Sequence, residues 1–386
     1  MGPDAKIKPL PPLTSLRFFA AASIVIMHSA GRWGMPPLSS IHFAVGVDLF
    51  FILSGFILAY NYRSMPSLAD AIRVIGYRIA RIWPLHLVTL AAAMLFFADP
   101  ANPYFDPARL WATIPMVQAW LGNGLYALHG NAVSWTISVE LGFYLLFPLF
   151  IILPTRWLLV ATALLSVATI IWAAMFVNVK VHTDAMSAPA IMRFHPGSYI
   201  VQFAAGMIAC RLFLQREWRM PFATASILEA VATALAVFFF FANLSMFLGL
   251  ERIWPFPRPM LFWPTHLYAI AFLLPLIFVL AIGQGAISRA LRNPAMVFLG
   301  EISFATYMCH LIILMALERS SLTSSFALPA YFGLVYLTSA VLYFIVERPA
   351  QRMLRRATDA VTGYESGRPR SRDMSSVTAN PGAEPR

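Results

Sequence analysis

The feature that most constrains this chain is a succession of apolar runs, each long enough to cross a lipid bilayer. Of its 386 residues, 59% are hydrophobic and only 12% are charged, which is more apolar surface than a soluble domain can bury. Inside a bilayer, backbone groups must bond to one another, which helices achieve within a single segment. The sequence therefore predicts an all-α integral membrane protein, a polytopic bundle of about ten transmembrane helices. The predicted spans are 13–30, 43–61, 82–98, 133–153, 157–177, 198–214, 226–248, 265–284, 296–316 and 328–346.

The basic residues indicate how these spans are oriented. An even number of spans places both termini on one side, and that side receives twenty of the lysines and arginines against seven opposite. Cytoplasmic loops carry such an excess of positive charge, so both termini are predicted to be cytoplasmic. The net charge of +11 is explained by this orientation, and no nucleic-acid partner is predicted.

Three regions follow from the distribution of apolar runs. Residues 1–12 are predicted to form an N-terminal cytoplasmic tail, 13–356 the membrane domain, and 357–386 a disordered C-terminal cytoplasmic tail. The last segment is rich in Ser, Pro, Gly and Arg and lacks apolar periodicity. Arginines just beyond the last span should favour anionic lipid headgroups. Cys210 and Cys309 lie in apolar runs, so we predict neither a disulfide framework nor a metal site.

Arg17 and His28 lie in the same predicted span. Eleven residues correspond to about three full helical turns, so the two side chains share one face, roughly 16 Å apart along the axis. Ionisable residues at membrane depth are costly and usually mark a polar path. The alternative is that Arg17 reaches the interface while His28 only bonds to a neighbouring helix.

Two carboxylates are candidates to join this pair. Asp48 lies near the outer end of the second span, where it could orient His28 through one ring nitrogen; equally, it could stabilise its own helix terminus. Glu140 lies several residues into the fourth span and must pair with a cation, become protonated or face water. Arg17 and His28 are its candidate partners, and a purely structural ion pair is the alternative.

Arg78 and Arg81 are three residues apart at the cytoplasmic end of the third span, on one helix face. Two guanidinium groups in this arrangement can bind phosphate or pyrophosphate oxygens. Arginines also abound at cytoplasmic ends for reasons of topology alone, and for an isolated pair we favour that interpretation.

Small and polar residues elsewhere in the spans have structural explanations. Gly46, Ser54 and Gly55 are predicted to be positions of close helix packing. Ser303, Tyr307 and His310 share one face of the ninth span, and we favour a structural role for that stripe as well.

Six segments, in this order along the chain, resemble the acyltransferase 3 family of bacterial integral-membrane acyltransferases. They are L-T-S-L-R-F-F-A-A-A-S-I-V-I-M-H, G-V-D-L-F-F-I-L-S-G-F-I, Y-R-I-A-R-I-W-P-L, S-W-T-I-S-V-E-L-G-F-Y-L-L-F-P, L-G-E-I-S-F-A-T-Y-M-C-H and V-E-R-P. The resemblance covers about residues 10–356. Some relatives carry an added soluble esterase-like domain, and we expect this chain to act without one or with a separate partner.

The resemblance implies an enzyme of the bacterial cytoplasmic membrane that moves an acyl group, most often acetyl, from a cytoplasmic acyl-CoA to a hydroxyl. The acceptor would be a glycan or lipid-linked saccharide, polysaccharide-assembly proteins are possible partners, and no permanently bound cofactor is expected. On this hypothesis His28 is the general base or transient acyl carrier, and Asp48 orients it. Arg17 stabilises charge on the thioester carbonyl or binds the pantetheine–phosphate portion of the donor. Arg78 and Arg81 bind the nucleotide end of the donor, and Glu140 positions Arg17 or the acceptor.

Two other function classes are compatible with buried Arg, His, Glu and Asp in ten spans. One is a transporter or exporter of a lipid-linked sugar or other small molecule, because proton relays use the same residue types. The other is an inactive scaffold for exopolysaccharide assembly.

Overall fold

The computed structural model describes residues 8–33, 44–99, 101–180, 185–320 and 324–363, and these residues form helices and connections with no strand among them. Most of the two predicted tails, 1–7 and 364–386, lies outside the described residues. The α-helices longer than four residues are α1 (Pro11–Ser29), α2 (Ala44–Asn61), α3 (Leu68–Phe97), α4 (Trp135–Ile152), α5 (Thr155–Ala174), α6 (Ala188–Phe194) and α7 (Pro196–Leu214). They continue with α8 (Phe222–Ile253), α9 (Phe262–Ile282), α10 (Ala286–Leu291), α11 (Pro294–Glu301), α12 (Ser303–Glu318), α13 (Ser324–Leu342) and α14 (Arg348–Thr362). A π-helical turn, Tyr343–Glu347, joins the last two helices.

Each predicted span overlaps a helical stretch of the structure, although several extend up to three residues past the end of the helix. Span 43–61 begins outside the described residues, and 296–316 crosses the bend between α11 and α12. Among the described residues, seven helical stretches are long and apolar enough to cross a membrane, and counting α11 with α12, bent by 57°, gives eight. α1 lies outside that set, and α2 counts as a shorter apolar helix. The protein is a polytopic helical membrane protein, while the count of about ten spans and the side of the termini stay predictions.

α3 begins at Leu68, well before residue 82, where the predicted third span begins. The Ser67 side chain caps its first turn by accepting a hydrogen bond from the Asp70 backbone N–H at 3.1 Å, and α3 then runs for 30 residues. Arg78 and Arg81 are therefore in the interior of α3, roughly 15–20 Å from its start, rather than at its first turn.

The last helix extends beyond the predicted end of the membrane domain at residue 356. α14 packs on α3, where a Cβ at Gly76 would lie 2.6 Å from the methyl group of Thr358 and the Tyr77 hydroxyl donates to the Asp359 carboxylate. Arg355 lies 5.2 Å from the centre of the Tyr77 ring. Residues 357–362 are thus helical, and the prediction of disorder was wrong for this part because it considered α14 without its neighbour.

Glycines allow the central helices to approach closely. A Cβ at Gly55 of α2 would lie 2.0 Å from the Phe203 carbonyl oxygen of α7, and a Cβ at Gly206 would lie 2.0 Å from that of Ile52. A Cβ at Gly46 would meet the Ser23 hydroxyl of α1 at 2.5 Å. The predicted packing role of Gly46 and Gly55 is confirmed, and it brings α1, α2 and α7 together at the centre of the molecule.

Candidate active site

A cavity opens between α1, α2, α3, α4 and α12, with about 710 Å³ of empty space including its mouth. Four of the predicted site residues line it: Arg17, Arg78, Arg81 and Glu140. They come from three helices that are far apart in sequence. The remaining polar lining is uncharged: Ser54, Thr136, Tyr144, Ser303 and Tyr307.

The three arginines of the cavity have no carboxylate within salt-bridge distance among the residues that the structure describes. Arg78 instead packs between two aromatic rings, 5.6 Å from the centre of Tyr62 and 5.9 Å from that of Tyr144. Its Nε is buried and has no hydrogen-bond partner in the described part of the chain. A group of cations at membrane depth is costly unless an anion compensates it, so the cavity is suited to an anionic ligand.

Glu140 lines the same cavity as these arginines but forms no salt bridge with them among the described residues. Its carboxylate accepts a hydrogen bond from the Tyr144 hydroxyl at 3.0 Å, and it lies within electrostatic range of Arg81 and Arg17. The structure thus brings Glu140 and Arg17 to one cavity, although not into a direct ion pair. The stated role of Glu140 in catalysis stays a prediction.

Glu347 is a residue of this region to which sequence reasoning gave no role. Its residue surface is only 5% exposed, its Oε2 has no hydrogen-bond partner among the described residues, and it is within electrostatic range of Arg81 and Arg17. The V-E-R-P segment was the available signal. The π-helical turn that ends at Glu347 could not be read from it, and π turns frequently occur at functional sites.

His28 contacts a second histidine. Its Nδ1 lies 3.1 Å from Nε2 of His310 on α12 and 3.0 Å from the carbonyl oxygen of Ile24, one turn earlier in α1. Nδ1 of His310 lies 2.6 Å from the carbonyl oxygen of Tyr307. His310 is completely buried and His28 is only partly buried, so His28 is the more accessible of the two rings.

Asp48 has partners other than the predicted one. Its carboxylate accepts a hydrogen bond from the Gln202 side chain at 2.6 Å and lies 3.4 Å from Nδ1 of His266. α2 is turned so that Asp48 faces α7 and α9, whereas Val47 and Phe50 face the cavity. The hypothesis that Asp48 orients His28 was therefore wrong: the residue that contacts the His28 ring is His310. Any other contribution of Asp48 to catalysis stays a prediction.

Tyr307 links the cavity to the histidine pair. Its hydroxyl donates to the Val133 carbonyl oxygen at 3.0 Å and accepts from the Thr136 hydroxyl at 3.1 Å. It lines the cavity, and its backbone carbonyl holds the His310 ring one turn further along α12. Tyr307 thus contacts both the cavity and the His310 ring, whereas His28 itself is not one of the residues that line the cavity.

Comparison with known protein families supplies the class of chemistry. The family described as an acyltransferase domain, acyltransferase 3, matches residues 13–348, which is most of the chain. The chain belongs to the acyltransferase 3 family. It is thus an acyltransferase, and the charged cavity and the histidine pair both lie within the matched region.

Curated relatives of this acyltransferase match along most of their length. Acyltransferase MdmB of Streptomyces mycarofaciens is 27% identical, over 92% of this chain and 94% of the relative. Nodulation protein 10 of Rhizobium leguminosarum bv. viciae is 25% identical, over 78% and 81%. Exopolysaccharide production protein ExoZ of Rhizobium meliloti (strain 1021) is 26% identical, over 88% and 99%. No solved structure gives a significant match.

Proposed function

We propose that this acyltransferase transfers an acyl group, acetyl in the simplest case, from a cytoplasmic acyl-CoA to a hydroxyl of a saccharide at the bacterial cytoplasmic membrane. The observation that carries the proposal is the cavity with three arginines that lack carboxylate partners among the described residues. Family membership supports acyl transfer, and the name of the relative ExoZ supports a saccharide product.

The arginine cluster is suited to the anionic end of the donor. Acyl-CoA carries its negative charges on phosphates at one end and its thioester at the other, separated by the pantetheine arm. Guanidinium groups bind phosphate oxygens through paired N–H donors, so Arg78 and Arg81 bind the phosphates in this proposal. Arg17 lines the same cavity and, roughly 16 Å from His28 along α1, binds the pantetheine–phosphate portion of the donor.

His28 supplies the base. The acceptor hydroxyl gives its proton to Nε2 of His28 while its oxygen attacks the thioester carbonyl. The C–S bond then breaks, the acyl group stays on the acceptor oxygen as an ester, and the proton passes from His28 to the departing CoA sulfur. General-base catalysis of this kind contributes about 10²–10⁴ in rate.

The test measures label transfer from radiolabelled acetyl-CoA by protein purified in nanodiscs, with a membrane saccharide extract as acceptor. His28→Asn should lose transfer to background and keep donor binding, because the arginines are untouched. His195→Asn is the matched control: His195 accepts a hydrogen bond from the Gly197 N–H at the start of α7, and an asparagine oxygen can accept it too.

Retained transfer in His28→Asn would overturn the role of His28. Absence of both donor binding and transfer in the wild-type protein would overturn the proposed function and favour a carrier of small molecules. Acid quenching of single turnovers separates direct transfer from an acyl-His28 intermediate, because only the intermediate leaves label on the protein.

A further inference from the structure

We propose that His310 is a positioning residue that fixes the tautomer and orientation of His28 and stabilises its protonated form during the reaction. This inference rests on the proposed function for its catalytic consequence. The hydrogen-bond assignment beneath it comes from the geometry alone.

The chain of contacts begins at Tyr307. A carbonyl oxygen can only accept a hydrogen bond, so the 2.6 Å contact with the Tyr307 carbonyl requires a proton on Nδ1 of His310. His310 is completely buried, and burying a charged imidazole is costly. Neutral His310 therefore carries its one ring proton on Nδ1 and presents Nε2 as an acceptor.

The same reasoning assigns His28. Its Nδ1 lies 3.0 Å from the carbonyl oxygen of Ile24, which again accepts only. Nδ1 therefore carries the proton, and this N–H is shared between that carbonyl and Nε2 of His310 at 3.1 Å. The lone pair of His28 is left on Nε2, the nitrogen that faces away from both partners and can take a proton from the acceptor.

His310 matters most when His28 is charged. Once Nε2 of His28 takes a proton, its Nδ1–H becomes a charge-assisted donor, and such hydrogen bonds are roughly twice as strong as neutral ones. A neutral imidazole nitrogen as the acceptor stabilises that state without adding a buried negative charge. In many enzymes a carboxylate accepts the hydrogen bond from Nδ1 of the catalytic histidine. In this protein His310 is the acceptor.

The kinetic test compares two substitutions of His310. His310→Leu removes the acceptor and should lower kcat by about 10–100-fold, the effect of losing one hydrogen bond to a charged group. The KM for acetyl-CoA should be unchanged because the arginine cluster is intact. His310→Gln places an amide oxygen near the position of Nε2 and should restore most of kcat. Equal kcat in His310→Leu and wild type, or equally low kcat in both variants with unchanged melting temperature, would overturn the proposal.

The second test does not depend on activity or on folding of a variant of His310. Nitrogen-15 spectra of histidine-labelled wild-type protein, compared with His28→Asn, identify the signals of His28. We expect a protonated Nδ1 and an unprotonated Nε2. A protonated Nε2 on neutral His28 would overturn the assignment even if the enzyme transfers acetyl groups as proposed.

Discussion

At the scale of single residues, the arginines of the cavity offer a direct test of donor binding. Arg78→Ala should raise the KM for acetyl-CoA by about 10–100-fold with a smaller change in kcat, because a hydrogen bond to a charged group contributes about 1.5–3 kcal/mol. The measurement is steady-state transfer at varied donor concentration. Arg73→Ala on the same helix is the control, since Arg73 pairs with Asp70 and lies outside the cavity lining. An equal rise in both variants would mean that Arg78 contributes only general positive charge.

The same residues show what the sequence could predict about the site. Helical periodicity predicted that Arg78 and Arg81 share one face of α3 and that Tyr307 and His310 share one face of α12, and the structure agrees. The sequence could not predict which residue contacts the His28 ring. Asp48 was chosen because it lies at the matching depth in the membrane, but contact also depends on how α2 is rotated about its axis. Packing sets that rotation, and it directs Asp48 to Gln202.

At the scale of helices, the contact of α2 with α7 should be sensitive to added volume. Gly206→Ala places a methyl group 2.0 Å from the Ile52 carbonyl oxygen, so the backbones must separate. Overpacking of this kind costs about 1–3 kcal/mol, and the melting temperature in detergent should fall. Gly249→Ala in α8 is the control, because no atom lies within 4 Å of a Cβ there; it should leave stability unchanged or slightly higher. An unchanged melting temperature in Gly206→Ala would show that α2 and α7 are less closely packed.

Helix limits were less predictable than helix existence, for a physical reason. Apolar runs report the part of a helix that lies in lipid, whereas α3 and α14 both extend into a polar environment. There, a side-chain cap at Ser67 and contacts between α3 and α14 at Gly76 and Thr358 sustain the helices. These contacts join segments almost three hundred residues apart, so a local pattern gives no sign of them.

At the scale of the whole molecule, the orientation of the protein in the membrane decides whether acyl-CoA in the cytoplasm can reach the arginines and whether the acceptor outside can reach His28. Arg17 is near the start of α1 and His28 near its end, so the positive-inside bias predicts that the donor enters from the cytoplasm and the acceptor from outside. Single cysteines can test this, because both native cysteines, Cys210 and Cys309, are buried.

A membrane-impermeant maleimide should label Asn178→Cys in intact spheroplasts, since this exposed position follows α5 on the predicted outer side. Glu217→Cys, exposed in the connection between α7 and α8, should be labelled only after the membrane is permeabilised. Met353→Cys on α14, also exposed, should behave like Glu217→Cys and would place the C-terminal side in the cytoplasm.

The reverse pattern would put the arginine end of the cavity outside, where acyl-CoA is absent, and would contradict the proposed direction of transfer. Labelling of all three positions in intact spheroplasts would contradict a membrane crossing between residues 178 and 217.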